Sequence, residues 1–252
     1  MTPSGRSYIE TLDNLTGARR LRLRFGKWVQ AEGVVYEEYD RAVNLVDRFD
    51  VPDSWTRYLV VDFGFNNPFV AQWWAEDPDG ALVRYREIYH TGLLVEDAAK
   101  EIAELSKGEP RWRKVVCDHD AEGRATLERH LGVVTTAAKK NVSLGIQHVK
   151  TRLRKGPNGK PGMYAMRDSL VSRDPALEAK KKPCSTDQEY DGYVWDTSNK
   201  QKKGEQPVKE NDHGMDAERY MVAEIDLPDE KPKDTPVTIP AHLRMMGATL
   251  PR

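Results

Sequence analysis

The chain has 252 residues, with 39 Lys/Arg against 40 Asp/Glu and a net charge of −1, so its overall balance singles out neither a polyanionic nor a polycationic partner. At 38% hydrophobic and 31% charged residues, with a mean hydropathy of −0.71, a core can form but much of the chain must sit in solvated loops. No apolar run approaches the ~20 residues that cross a bilayer and no signal-peptide core opens the chain, so no membrane partner is expected.

Residues 1–56 read as a lead-in, with a short helix over 8–15 and strand-like pieces at 27–29 and 34–36 around Gly26 and Gly33. They hold too few apolar residues for a core of their own and must dock on something else. The main domain is expected over 57–225. Residues 58–62 form a β-branched strand ended by Gly64 and Asn66-Asn67-Pro68, and strands over 69–75 and 81–89 flank the turn Asp77-Pro78-Asp79-Gly80. Trp73 and Trp74 alternate faces on such a strand, so one is expected in the core and one outward. Leu94, Ala98, Ile102 and Leu105 then recur at helical spacing, and 115–118 reads as a buried strand. Within it Cys117 is expected as a small buried hydrophobe. Neither it nor Cys184 has disulfide or metal-ligand spacing, which fits a reducing compartment. A helix over 122–131, a short strand over 133–136 and a helix capped by Asn141, with Val142, Ile146, Val149 and Leu153 on one face, follow. Residues 155–162 cannot be helical, 180–210 are polar and irregular except for 190–195, and Asn211 is expected to cap a last helix running to about residue 223. Residues 226–252 form a Pro- and charge-rich tail. Three antiparallel strands followed by alternating helix and strand give an α/β fold, a mixed central sheet flanked by helices.

Three acids stand out by position. Asp62 and Asp118 each end a strand, where ligands gather in open α/β sheets, and Asp216 lies on the last helix. Asp212, His213 and Asp216 share one face of that helix. Converging carboxylates repel one another unless a cation sits among them, and an oxygen-rich set suits Mg²⁺ or Mn²⁺. Two such ions about 4 Å apart serve phosphodiester hydrolysis. Asp120 has two readings, a ligand or the cap of the following helix, and the cap is favoured; Glu122 reads as a first-turn partner of the helix dipole. Basic residues are uneven: between Lys139 and Lys182 there are twelve Lys/Arg and three acids, Asp168, Asp174 and Glu178. Such a stretch can be only a solvated face, but the favoured reading is that Lys139, Lys140, Lys150, Arg152, Arg154, Lys155 and Lys160 line a groove for DNA phosphates beside the metals, with Lys180 to Lys182 or Lys200 to Lys203 as the other places for such a path.

The strings Tyr58-Leu-Val-Val-Asp62-Phe-Gly64, Val115-Val-Cys-Asp118 and Asn211-Asp-His213-Gly-Met-Asp216-Ala-Glu-Arg219-Tyr220 resemble the three acidic motifs of the nuclease domain in tailed-phage terminase large subunits. Gly145-Ile-Gln-His-Val-Lys150 and Pro207-Val-Lys-Glu-Asn211 are similar to it too, and residues 8–50 resemble the end of that family's ATPase region and its linker. The resemblance implies a ribonuclease H-like fold and an endonuclease that cuts double-stranded viral DNA during genome packaging with little sequence preference. It implies that Asp62, Asp118 and Asp216 are catalytic and hold two divalent cations, Mg²⁺ or Mn²⁺, with His213 as a further ligand. It also implies the ATPase domain of the same full-length protein, the portal and the small terminase subunit as partners, and the cytoplasm of an infected bacterium, rather than the mature virion, as the place of action. No Gly-x4-Gly-Lys-Ser/Thr occurs, so this chain is not expected to hydrolyse ATP. A junction resolvase or RNA–DNA hybrid nuclease of the same fold, or a non-catalytic module that grips DNA or docks on the motor, are the alternatives.

Overall fold

A computed structural model describes residues 33–196 and 206–228; the helix expected over 8–15, the strand at 27–29, Lys200 to Lys203 and the tail beyond 228 lie outside the described residues. β2 (Thr56–Asp62), β3 (Phe69–Glu76) and β4 (Leu82–His90) form the antiparallel meander that the alternating runs predict. The Asp77 side chain fixes the β3–β4 turn by accepting from the N–H groups of Asp79 and Ala81 at 2.9 and 2.8 Å. β5 (Trp112–Cys117) lies parallel to β2, and β6 (Thr135–Ala137) lies parallel to β5. On the other side β7 (Met163–Met166) runs parallel to β4, and β1 (Leu45–Val46), which follows the single-turn α1 (Arg41–Asn44), runs parallel to β7. The seven-stranded mixed sheet has the order β1-β7-β4-β3-β2-β5-β6.

Helices cover both faces. α2 (Val95–Leu105) packs on α3 (Ala121–Leu131) over one face, and α4 (Val142–Leu153) packs on α7 (His213–Asp226) over the other. This corrects the reading of Trp73 and Trp74. They do point to opposite faces, yet both are fully buried, Trp73 beneath α2 and Trp74 in the core shared with α4 and α7. Alternation says which way a side chain points, but whether that face is wet depends on the second layer of helices. Cys117 is buried as expected, and burial pushes its thiol up to about 12.

Local signals set most helix starts. Asp120 accepts from Glu122 N–H at 3.1 Å and caps α3; Asn141 accepts from Leu144 N–H at 3.0 Å and caps α4. α7 differs from expectation. Asn211 takes a left-handed backbone, φ 52°, and the N-cap is Asp212, whose side chain makes no capping bond. β7 and two short helices, α5 (Pro175–Ala179) and α6 (Thr186–Glu189), have no counterpart in the sequence reading. The described part of the lead-in shares the main core: Val34, Val35 and Tyr36 are at most 1% exposed, and Asn44 donates to the carbonyls of Leu153 and Met163. No described helix is long and apolar enough to cross a membrane.

Candidate metal centre

Asp62 is the last residue of β2, and Asp118 follows β5 on the neighbouring parallel strand, where its N–H donates to Val61 O at 3.0 Å. Adjacent strands lie about 4.8 Å apart, so the two carboxylates leave the sheet side by side. α7 crosses this strand end with its first turn. His213 Nδ1 sits 3.2 Å from Asp62 Oδ2, and Asp216 follows one turn later. All four side chains line one cleft of about 420 Å³.

The electrostatics show that the acids converge. The Asp62 carboxyl is raised to about 6, chiefly by burial; the hydrogen bond from His213 opposes the rise, and the charges of Asp216 and Asp118 add to it. Burial opposes a charge on His213, but the hydrogen bond and charge of Asp62, with Asp212 and Asp216 behind it, hold its pKa above the usual imidazole range. Burial also opposes ionisation of Asp216, and here Arg219 and Lys209 prevail and hold the carboxyl low. Arg219 Nη2 is 2.9 Å from Asp216 Oδ1, while Lys209 Nζ bridges Asp216 Oδ2 and Asp212 Oδ2 at 3.0 Å each. Asp120 instead faces its own helix, capping α3.

Three carboxylates are an oxygen donor set that suits Mg²⁺ or Mn²⁺, with an imidazole beside them as a softer nitrogen donor. Among the described residues, however, no three His, Cys, Asp or Glu side chains form a ready ligand group. The hydrogen bonds account for this: Asp216 is turned to Arg219 and Lys209, and Asp62 to His213. The residues fit a divalent cation by chemistry and position.

Beneath α7 lies a polar layer that sequence reasoning missed. Gln72 Nε2 donates to Gly214 O at 3.2 Å and to Thr186 Oγ1 at 2.8 Å, and Glu189 Oε2 accepts from Met215 N–H at 2.8 Å. A Cβ at Gly214 would overlap Thr186 and stand 2.9 Å from Glu189 Oε2, so only glycine lets the helix come this close. Farther in, the fully buried Arg84 reaches Glu87 at 2.9 Å and Asp187 at 2.5 Å. Burial, offset in part by Arg84, pushes Glu218 up to about 7. The available signal was weak: Gln72, Arg84 and Glu87 are polar residues inside strands that otherwise read as buried.

The basic groove expected beside the metals needs correction. β2 runs from Thr56, opposite Glu76, to Asp62, opposite Val70, so the β3–β4 turn lies at the other end of the sheet, about 20 Å away at ~3.4 Å per residue. Arg152 is at that far end, donating to Gly80 O at 3.0 Å and to the Asp226 carboxylate at 2.8 and 2.6 Å. Lys155 and Lys160 belong to the loop closed there by the Lys155–Pro161 bridge, and Arg154 pairs with Glu38. Lys139 donates to Leu227 O at 2.5 Å, beyond the end of α7, Lys150 stands 5.6 Å over the Trp195 ring, and Lys140 is exposed. Among the described residues, the cations that line the acidic cleft are Lys180, Lys182 and Lys209. The count of charges along the chain was right, but the sheet's direction separates most of them from the acids.

No protein-family model and no curated protein matches the sequence. Among solved structures, the large terminase of a thermophilic bacteriophage, in complex with ADP, matches with a TM-score of 0.64 and 24% identity, over 90% of this chain and 53% of that one. A second crystal form of the same phage protein matches with a TM-score of 0.63 and 24% identity, over 89% of this chain and 52% of that one. The large terminase nuclease domain of phage P22 matches with a TM-score of 0.55 and 16% identity, over 75% of this chain and 90% of that domain. The chain thus spans about half the length of the thermophilic phage's large terminase and matches most of the P22 domain. The fold is that of the terminase nuclease domain, a ribonuclease H-like mixed sheet between helices.

Proposed function

We propose that the chain is the nuclease part of a viral large terminase, a divalent-cation-dependent endonuclease that cuts double-stranded DNA with little sequence preference during genome packaging. The observation that carries this reading is the meeting of Asp62, Asp118 and Asp216 in one cleft at the strand ends of a fold shared with the P22 nuclease domain. Asp62 and Asp118 would hold cations from the sheet and Asp216 from α7. When bound, two such ions supply the charge that activates water and stabilises the departing 3′ oxygen. His213 Nδ1 holds Asp62 Oδ2 in place and is a further candidate ligand. Lys209 lines the cleft with Lys180 and Lys182, where the three would meet DNA phosphates. Contacts of that kind position a duplex without reading its bases, which is why little sequence preference is proposed.

On the same reading the ATPase part of a longer protein, the portal and the small terminase subunit are its partners, in the cytoplasm of an infected bacterium. A plasmid-nicking assay with Mn²⁺, Mg²⁺ and EDTA tests the activity. Nicking that needs the cation and disappears in Asp118→Asn is expected; nicking that survives EDTA or the substitution overturns the reading. Parallel four-way-junction and RNA–DNA hybrid substrates check the preference for duplex DNA. Duplex binding without any cleavage under Mn²⁺ would mark a gripping module instead.

A further inference from the structure

α7 carries two of the four side chains at the centre, yet its own N-cap residue, Asp212, makes no side-chain bond to the first turn. The leading N–H groups of a helix must find acceptors elsewhere. Glu189, at the end of α6, provides one: Oε2 accepts from Met215 N–H at 2.8 Å, while Oε1 accepts from the Tyr89 hydroxyl at 2.5 Å. Tyr89 is directly opposite Val70 on β3, and Val70 is directly opposite Asp62 on β2. The carboxylate therefore ties the helix bearing His213 and Asp216 to the rung of the sheet that ends in Asp62.

Stability alone is a poor account of this residue. Glu189 is 1% exposed, and burial holds its carboxyl well above the ordinary carboxylate range, so an acid that is costly to ionise stands where an uncharged cap would serve the helix. Gly214 points the same way, since any side chain there would meet Glu189 Oε2 and push the helix off. We propose that Glu189 is a positioning residue, which clamps the first turn of α7 to Tyr89 and so sets the placement of Asp216 and His213 against Asp62. This rests on the metal-dependent reading above.

The test uses the whole chain, with Mn²⁺ affinity measured by calorimetry and amide exchange followed at Met215. Glu189→Met keeps the side chain's length and removes both acceptors. At least tenfold weaker Mn²⁺ binding and at least tenfold faster exchange at Met215 are expected. Glu189→Gln leaves an oxygen for Met215 N–H and an amide for the Tyr89 oxygen, and both readings should stay within threefold of the parent. A purely structural residue would lower the melting temperature without moving Mn²⁺ affinity measured well below it. Wild-type affinity in folded Glu189→Met overturns the proposal. If that variant does not fold, Tyr89→Phe decides, because it removes only the anchor to the sheet: about threefold weaker binding is expected, and unchanged binding overturns the proposal. If the parent chain takes up no Mn²⁺, the functional reading falls, while exchange at Met215 still judges the clamp.

Discussion

Asp62 is asked to be buried, ionised and close to two other acids at once, and its carboxyl stands at about 6 against an ordinary 3.8. Because the folded pKa lies above the unfolded one, protonation favours the fold. The cation-free protein should therefore lose stability as pH rises from about 4 to 6, and above that range the buried charge costs on the order of 3 kcal/mol. In EDTA at pH 7.5, Asp62→Asn should melt higher than the parent; in excess Mn²⁺ the order should reverse, and thermal melts in both conditions check this. Asp62→Asn, Asp118→Asn and Asp216→Asn should each abolish Mn²⁺-dependent nicking, because each removes a charge that fixes the cation. Asp120→Asn should lose little, because Asp120 caps α3. Lys209 shares one ammonium between Asp212 and Asp216 and is expected to compete with a cation for them. Lys209→Met should tighten Mn²⁺ binding several-fold and weaken duplex binding in Ca²⁺. Weaker Mn²⁺ binding would show that Lys209 does not compete.

At the scale of elements, the centre depends on how α7 lies against α4. Gly145 lets the Arg219 side chain pass over α4; a Cβ there would stand 2.7 Å from Arg219 Cγ, and Arg219 in turn holds Asp216. Gly145→Val should destabilise the fold by about 1–3 kcal/mol through overpacking, read by urea unfolding, and should also weaken Mn²⁺ binding by disturbing Asp216. α4 was legible from sequence because Asn141, the stripe from Val142 to Leu153 and the following glycine loop agree. β7, α5 and α6 were not. Four or five residues carry too little periodicity to be told from a loop, and β7 is a strand only because β4 and β1 lie on either side of it.

At the scale of the molecule, strand direction decides which cations stand near the acids. The acids collect at one end of the sheet with Lys180, Lys182 and Lys209, while Arg152, Lys155 and Lys160 gather at the other. Replacing Lys180 and Lys182 with Ala should flatten the slope of log affinity against log salt by ~1.8, at ~0.9 per phosphate contact, in duplex titrations with Ca²⁺. Replacing Arg154, Lys155 and Lys160 should leave that slope nearly unchanged. The opposite pattern would return the path to the far end.

The sequence by itself determined the layered α/β class, the order of the main strands and helices, and the three acids as a set, because strand ends, caps and the last helix are local signals. Tertiary structure decided which faces were dry, as Trp73 and Trp74 show, and which lysines stand near the acids. It also decided that Gln72, Glu189 and Gly214 support the last helix from beneath. Those outcomes depend on strand direction and on contacts between residues far apart in the chain, which no short window of residues encodes.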